Sequence, residues 1–531
     1  MRYLVVLAAL VLSGTSAWGA FPAGFGWGTA VAGFQVDMGG APASRDPRSD
    51  WWSWVHDPGN IAAGRVSGDL PENGPDEYDL FATDAKLAAR RLRNTTLRVS
   101  LEWSRLFPTS TAGVDASGGI TPGVLAQLDA LADAGAVAHY RTVLAELRAR
   151  GLAPFVTLNH FSLPLWAHDP IAARDALAGI DPNGPLPTGF GPAGWLDPAT
   201  VTEFAKYAAW AGWKFGDLVD LWSPLNEPLV VATSGYVNLP GVLSGNFPPG
   251  AFTFTGAIAV ILNEAAAQAA AYDALRAHDT IDADGDGAAA VVGIVHNMAA
   301  FHPKNPALAS DVAGAAHAEY LFNRLFLNAV ILGDVDVNAN GTIDPGEHQP
   351  GLAGKADFIG VNYYLRATAT GLGASVTPVI PVLDFLPTIA YQTPHNPAGG
   401  ACPSVCTEFG WEIYPTGLRE VLATAGGYGL PVYVTENGIA DADDDQRAAY
   451  LVQHLAVLER AIADGVADVR GYYHWSLVDN FEWSSGYYPK FGLFAFDAAT
   501  RRRHARRSGR YYARIARGNT VPARLQSRFG P

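Results

Sequence analysis

The chain has 531 residues, 49% hydrophobic and 16% charged, a balance that builds a buried core and excludes a disordered chain. A formal net charge of −15 argues against a general nucleic-acid binder, which is usually basic. The 14 Trp and 20 Tyr suit a core and a sugar-stacking surface equally and decide nothing by count.

In chain order, the first element is a targeting segment. Arg2 precedes an apolar run from Tyr3 to Leu12; small residues follow, ending in Ala17-Trp18-Gly19. This pattern predicts a secretory signal peptide over residues 1–19, too short to span a membrane, and a secreted or periplasmic protein. A frayed apolar terminus is the alternative. No later apolar stretch is read as long enough to cross a membrane.

Eight short β-rich runs follow, at 25–35, 96–103, 153–160, 221–228, 291–298, 357–364, 431–438 and 469–477. Most are continuously apolar, as parallel strands covered on both faces are. Helical stretches lie between them, among them 138–151, 199–217 and 446–465, the last with apolar residues at helical spacing and Gly465 as its stop. Strand and helix alternating eight times predict an α/β protein, a single (β/α)8 barrel over residues 20–531. Two doubly wound domains are the alternative, but no Pro/Ser-rich linker divides the chain. Long loops at 36–80, 161–198 and 371–412 are expected to rim the active face.

The runs end in polar or aromatic residues: Gln35, Glu102-Trp103, Asn159-His160, Asn226-Glu227, His296-Asn297, Asn362-Tyr364, Glu436-Asn437 and His474-Trp475. Barrel enzymes place their chemistry at those strand ends. Glu227 ends the fourth run and Glu436 the seventh, and neither has an adjacent Lys or Arg. Two carboxylates facing each other across a barrel mouth suit glycoside hydrolysis, one protonated to serve the leaving oxygen and one ionised to attack the anomeric carbon. A single Glu at a strand end reads as an ordinary hydrogen-bonded side chain; the pair does not.

These motifs are familiar. "LNEP" (225–228) and "VTENG" (434–438) resemble the two signature motifs of glycoside hydrolase family 1, the β-glucosidase family. "FGWGTAVAGFQVDMG", "LRVSLEWSRLFP", "TLNHFSLPLW", "DFIGVNYY" and "HWSLVDNFEWSSGYYPKFGL" follow in the family's order, and "DWWSWVHDPGN" is similar to the long-chain enzymes of archaea. The resemblance implies a retaining β-glycosidase of unphosphorylated β-D-glucosides, with β-D-galactosides and fucosides as further substrates, and no cofactor for catalysis. It implies Glu227 as acid/base, Glu436 as nucleophile, Asn226 at the sugar 2-hydroxyl, Tyr364 bonded to the nucleophile and Arg98 beside it. Gln35, His160, Asn362 and Glu482 are implied as sugar ligands, with Trp475 and Trp483 as aromatic floor and wall. A β-mannosidase, a transglycosidase and a non-catalytic sugar-binding protein are the alternatives; retention of both carboxylates argues against the last. The chain departs from the family pattern at Phe161, where Trp is usual, at Asp37, where Glu is usual, and at Ser223-Pro224. These departures bear on specificity more than on activity.

Three features lie outside that pattern. Asp336, Asn338, Asn340, Thr342, Asp344 and Glu347 in "DVNANGTIDPGE" follow the calcium-loop spacing of an EF-hand, with Gly341 at its turn. The expectation is a structural Ca2+ site, with a helix before it and a doubtful one after; a polar surface loop is the alternative. "DADGDG" (282–287) is a weaker echo. Cys402 and Cys406 either pair, as two nearby Cys do in an oxidising compartment, or stay free. The run 501–517 is strongly basic and reads as a solvated last helix rather than a nucleic-acid surface. The partners expected are small glycosides or oligosaccharides, with no nucleic acid and no membrane span; assembly into a homo-oligomer is left open.

Overall fold

The computed structural model describes residues 20–238, 246–372 and 383–530, so the signal-peptide reading at 1–19 lies outside the described residues. The strands are β1 (Gly26–Ala30), β2 (Thr96–Ser100), β3 (Ala153–Asn159), β4 (Leu221–Leu225), β5 (Val291–Val292), β6 (Ile294–Pro303), β7 (Ile359–Gly371), β8 (Phe385–Thr388), β9 (Val432–Asn437) and β10 (Val469–Trp475). All eight predicted runs are found. β5 and β6 are one strand interrupted at Gly293, and β8 is an antiparallel addition to the outer end of β7.

The remaining neighbours are parallel, in the order β5-β4-β3-β2-β1-β10-β9-β7-β6. The ring closes at the fourth strand, which meets both halves of the fifth. Leu221 pairs with Val291, Asn226 bridges to Val295, and the Glu227 amide donates to the Val295 carbonyl at 2.9 Å. Closure removes both sheet edges, so every strand can be apolar on both faces. β2, for example, is buried from Thr96 to Ser100.

The outer helices form where apolar side chains recur at helical spacing. Ala134–Ala149 starts at Asp133, whose side chain accepts the Ala136 amide at 2.9 Å and satisfies one of the first-turn donors. Ala199–Phe215 buries Phe204, Tyr207, Trp210 and Phe215. Each large apolar side chain so buried contributes about 1.5–3 kcal/mol. Phe254–His278 corrects one expectation: by length and composition it would cross a membrane. In the fold it packs along Ala199–Phe215, with Glu264 and Gln268 buried, as a barrel helix does.

The long loops carry more structure than expected. Residues 36–80 hold the helices Asp50–His56 and Pro58–Ala62, because Trp51 and Trp54 anchor a helical turn into the rim. Cys402 and Cys406 are disulfide-bonded in the loop after β8.

Gly293 is the narrow point of the closure: a Cβ there would overlap the Phe358 ring. Gly293→Ala should destabilise the protein by about 1–3 kcal/mol, as overpacked core sites do. A denaturant midpoint unchanged from wild type would show that the ring is not sterically locked at this position.

Candidate active site

The site lies at the C-terminal ends of the strands. Glu227 follows β4 and directly precedes Pro228, which opens the helix Pro228–Tyr236. Its backbone is left-handed, φ +50°, a conformation costing about 1–2 kcal/mol for a non-glycine residue. The barrel-closing bond to Val295 holds it there. The Glu227 Oε1 accepts from Asn362 Nδ2 at 2.6 Å and from Asn297 Nδ2 at 3.1 Å.

Glu436 ends β9 and is only 3% exposed. Its Oε1 accepts from Arg98 Nη1 at 2.5 Å, and its Oε2 from the Tyr364 hydroxyl at 2.6 Å. Arg98 on β2 is fully buried; its Nη2 donates to Asn226 Oδ1 at 2.7 Å and its Nε to Thr157 Oγ1 at 3.0 Å. The guanidinium thereby fixes the Asn226 amide, since only its oxygen can face Arg98. The Asn226 nitrogen then points to His160 Nε2 at 3.1 Å.

The two carboxyls are set apart by their surroundings. Burial, and then the charge of Glu436, push Glu227 up to about 8. Burial also raises Glu436, but the touching guanidinium and the Tyr364 hydroxyl pull it back down. Only Glu436 has a cation in contact, so Glu436 ionises first and Glu227 keeps its proton at neutral pH. At Glu436 burial is the larger effect, and Arg98 opposes it, favouring the ionised form.

A second group faces the same space. Gln35 Nε2 lies 2.9 Å from the Phe481 carbonyl, 3.2 Å from Asn480 Oδ1 and 3.3 Å from Glu482 Oε2, while its Oε1 has no protein partner. Burial and the Arg98 charge hold His160 well below its ordinary range, so it is neutral. With Nε2 accepting from Asn226, its proton sits on Nδ1, which has no partner either. Buried polar atoms rarely go unpaired, and hydroxyls of a ligand would satisfy both. Burial and the charges of Glu436 and Glu227 raise Glu482 to about 8. The rings of Trp475 and Trp483 lie 5.8 and 6.0 Å from His160 in stacked orientation, enclosing the space.

Asn362 differs from expectation. It is implied as a sugar ligand, but its nitrogen contacts Glu227 and Asn226, and its oxygen accepts from Thr435 Oγ1 at 2.7 Å. It also draws Glu436 down by a hydrogen bond, so one amide reaches both carboxyls.

Sequence reasoning gave no role to Asn297, Thr157, Trp51, Phe247 or Trp411. Asn297 was visible as a strand end. The aromatics were not: Trp51 approaches Trp483 at 4.6 Å, Phe247 packs on Phe161 at 5.0 Å, and Trp411 packs on Tyr364 at 5.3 Å, all from loops remote in sequence. Of the departures, Phe161 joins this aromatic wall 5.1 Å from Trp483, and Asp37 meets Arg105 at 3.3 Å.

The calcium-spaced loop lies apart from this site. A helix precedes it, Ala309–Glu319 continuing through wider turns to Leu332, and no helix follows Glu347. Asp336 and Glu347 are buried and turn inward. Asp336 accepts from Gly341 N at 2.7 Å and Tyr320 Oη at 2.8 Å, and Glu347 from Asp344 N at 2.8 Å and Val337 N at 3.1 Å. Asn338 and Asn340 cap local turns, and Thr342 is exposed. In the weaker echo, Asp282 and Asp284 gather with Asp220, which Arg148 already pairs at 2.8 Å.

The family model for glycosyl hydrolase family 1 matches residues 17–172 and 186–521. A β-galactosidase of Pyrococcus woesei is 39% identical over 95% of this chain and 99% of its own length. The β-glycosidase of Thermosphaera aggregans superposes with a TM-score of 0.81 at 35% identity, covering 96% of this chain and 99% of that one. A β-glucosidase of Pyrococcus furiosus superposes with a TM-score of 0.78, also at 35% identity, over 96% and 98%. The paired carboxylates thus sit in a barrel shared over its whole length with such enzymes, and the chain belongs to glycosyl hydrolase family 1, the retaining β-glycosidases.

Proposed function

We propose that Glu436 is the nucleophile and Glu227 the acid/base of a β-glycosidase acting on unphosphorylated β-D-glucosides and β-D-galactosides. The observation that carries this is the asymmetry of the pair. Glu436 touches a guanidinium, whereas Glu227 touches only neutral amides. Glu436 attacks the anomeric carbon; the bond to the aglycone oxygen breaks, and that oxygen takes the Glu227 proton. Water then attacks the same carbon, gives a proton to Glu227 and releases Glu436, so the β configuration returns. Arg98 and Tyr364 hold the nucleophile, and Asn226, fixed by Arg98, offers its amide N–H near the sugar 2-hydroxyl. Gln35, His160 and Glu482 would hold the other hydroxyls between Trp475 and Trp483. The choice of sugar rests on relatives named β-galactosidase and β-glucosidase, and on a sugar-facing set with a carboxyl and no cation for a 6-phosphate.

Nitrophenyl β-glucoside and β-galactoside should be hydrolysed with retention, and Glu436→Gln should leave less than about one part in a thousand of the turnover. Glu227→Gln should slow the second step by about 10²–10⁴-fold, and azide, which needs no general base, should restore turnover. For the wild type, kcat/KM should fall as pH rises through about 8, where Glu227 loses its proton, and fall again in acid as Glu436 gains one. Full activity of Glu436→Gln, or an inverted product, would overturn the assignment.

Export is proposed from the N-terminal pattern at 1–19, supported by the Cys402–Cys406 disulfide, a bond suited to oxidising compartments. N-terminal sequencing of the protein from its native host should find a chain starting at Ala20; a mature chain retaining Met1 would refute it.

Calcium at Asp336–Glu347 is proposed as structural, supported by the spacing of the oxygens and the inward turn of Asp336 and Glu347. Calcium should raise Tm relative to protein stripped with a chelator, and Asp336→Asn should abolish the difference. Equal Tm with and without calcium would dismiss the site.

A further inference from the structure

The last helix of the barrel ring, Arg507–Gly518, presents Arg507, Arg510, Arg514 and Arg517 on one exposed stripe. The opposite side is buried: Tyr512 donates to the Gly28 carbonyl of β1 at 2.7 Å, and Ile515 lies in the core. The row is about 15 Å long at the helical rise. The terminal helix Ala523–Phe529 adds exposed Arg524 and Arg528. The two helices meet through Tyr511 and Phe529, whose rings are 5.1 Å apart. Arg507 lies 5.9 Å from the Tyr511 ring and Arg528 5.0 Å from the Phe529 ring, so the cations of both helices share one face with an aromatic pair between them.

None of these six arginines forms an ion pair among the described residues, and residues 498–530 contain no acidic side chain to supply one. Elsewhere on this acidic surface some arginines are matched, Arg141 with Asp217, Arg419 with Asp464 and Arg470 with Asp468. Like charges three and four apart on a helix repel, and Arg507 stands at the positive end of the helix dipole. The row is therefore a cationic stripe whose mutual repulsion an anionic partner would relieve.

We propose that this face binds an acidic polysaccharide strand lying along the helix. Guanidinium forks match carboxylate and sulfate groups, and their spacing along the helix of about 5–6 Å suits charges repeated along an extended glycan. The half-buried Tyr511–Phe529 pair, packed edge to face, adds an apolar contact for a sugar ring. The stripe lies on the side of the helix opposite the core, and none of its arginines is bonded to Glu227 or Glu436. The inference does not depend on the catalytic reading.

The test measures binding of the full-length mature protein to dextran sulfate, with neutral dextran, single-stranded DNA and phosphatidylglycerol vesicles as comparisons. Dextran sulfate should be bound in preference to the other three, with affinity falling about tenfold or more as salt is raised several-fold. The variant R507Q/R510Q/R514Q/R517Q, altered only at exposed positions, should lose at least about tenfold in binding. Its turnover of nitrophenyl β-glucoside should be unchanged, which also shows that it is folded. Tyr511→Phe should bind as wild type and Tyr511→Ala more weakly. The proposal is overturned if wild type does not bind, if the quadruple variant binds equally well, or if DNA or vesicles are bound as tightly as the polysaccharide.

Discussion

Arg98 sits beneath the barrel mouth with all three guanidinium nitrogens committed: to Glu436 on β9, to Asn226 after β4 and to Thr157 on β3. It is a buried cation among carboxyls that burial alone would keep neutral. A buried ion pair adds little net stability, but removing one partner strands the other charge at a cost of about 3–5 kcal/mol. Arg98 is therefore better understood as fixing charge and orientation than as holding the fold. It decides which of the two carboxyls is the anion, and it turns the Asn226 amide so that its nitrogen faces His160 and the substrate space.

The same economy links the barrel to the chemistry. The peptide bond that closes the ring belongs to Glu227, whose amide reaches Val295 across the seam between the fourth and fifth strands. The left-handed turn at Glu227 is held by that bond and by Pro228, which starts the next helix. Asn362, in register with Glu436 on the neighbouring strand, spans to Glu227. The relative placement of the two carboxyls is thus set by strand pairing and one amide, rigid elements rather than loops.

The loops supply what the strands cannot, an enclosure. Trp51, Phe161, Phe247 and Trp483 come from four separate stretches and pack into one wall, with ring centroids between 4.6 and 6.1 Å. Trp411, beside the Cys402–Cys406 loop, packs on Tyr364, whose hydroxyl bonds Glu436. Excluding water here strengthens each charge interaction in the site, and it is why the carboxyls stand above their ordinary range.

The eight strands were legible because continuous apolar runs between helical periodicities leave few other folds, and the polar residue ending each run marks the candidate site. Glu227 and Glu436 stood out as candidates for a related reason: charge in an apolar setting needs a use. Tertiary structure alone decided which carboxyl touches a cation, that Asn362 bonds Glu227, and that Phe254–His278 is a barrel helix despite its membrane-like composition. It also decided that Cys402 and Cys406 pair. The division has a physical cause. Periodicity and polarity are local properties, written in consecutive residues, whereas proton affinity and side-chain partnership depend on burial and on neighbours a hundred or more positions away, which only the closed barrel brings within a few ångströms.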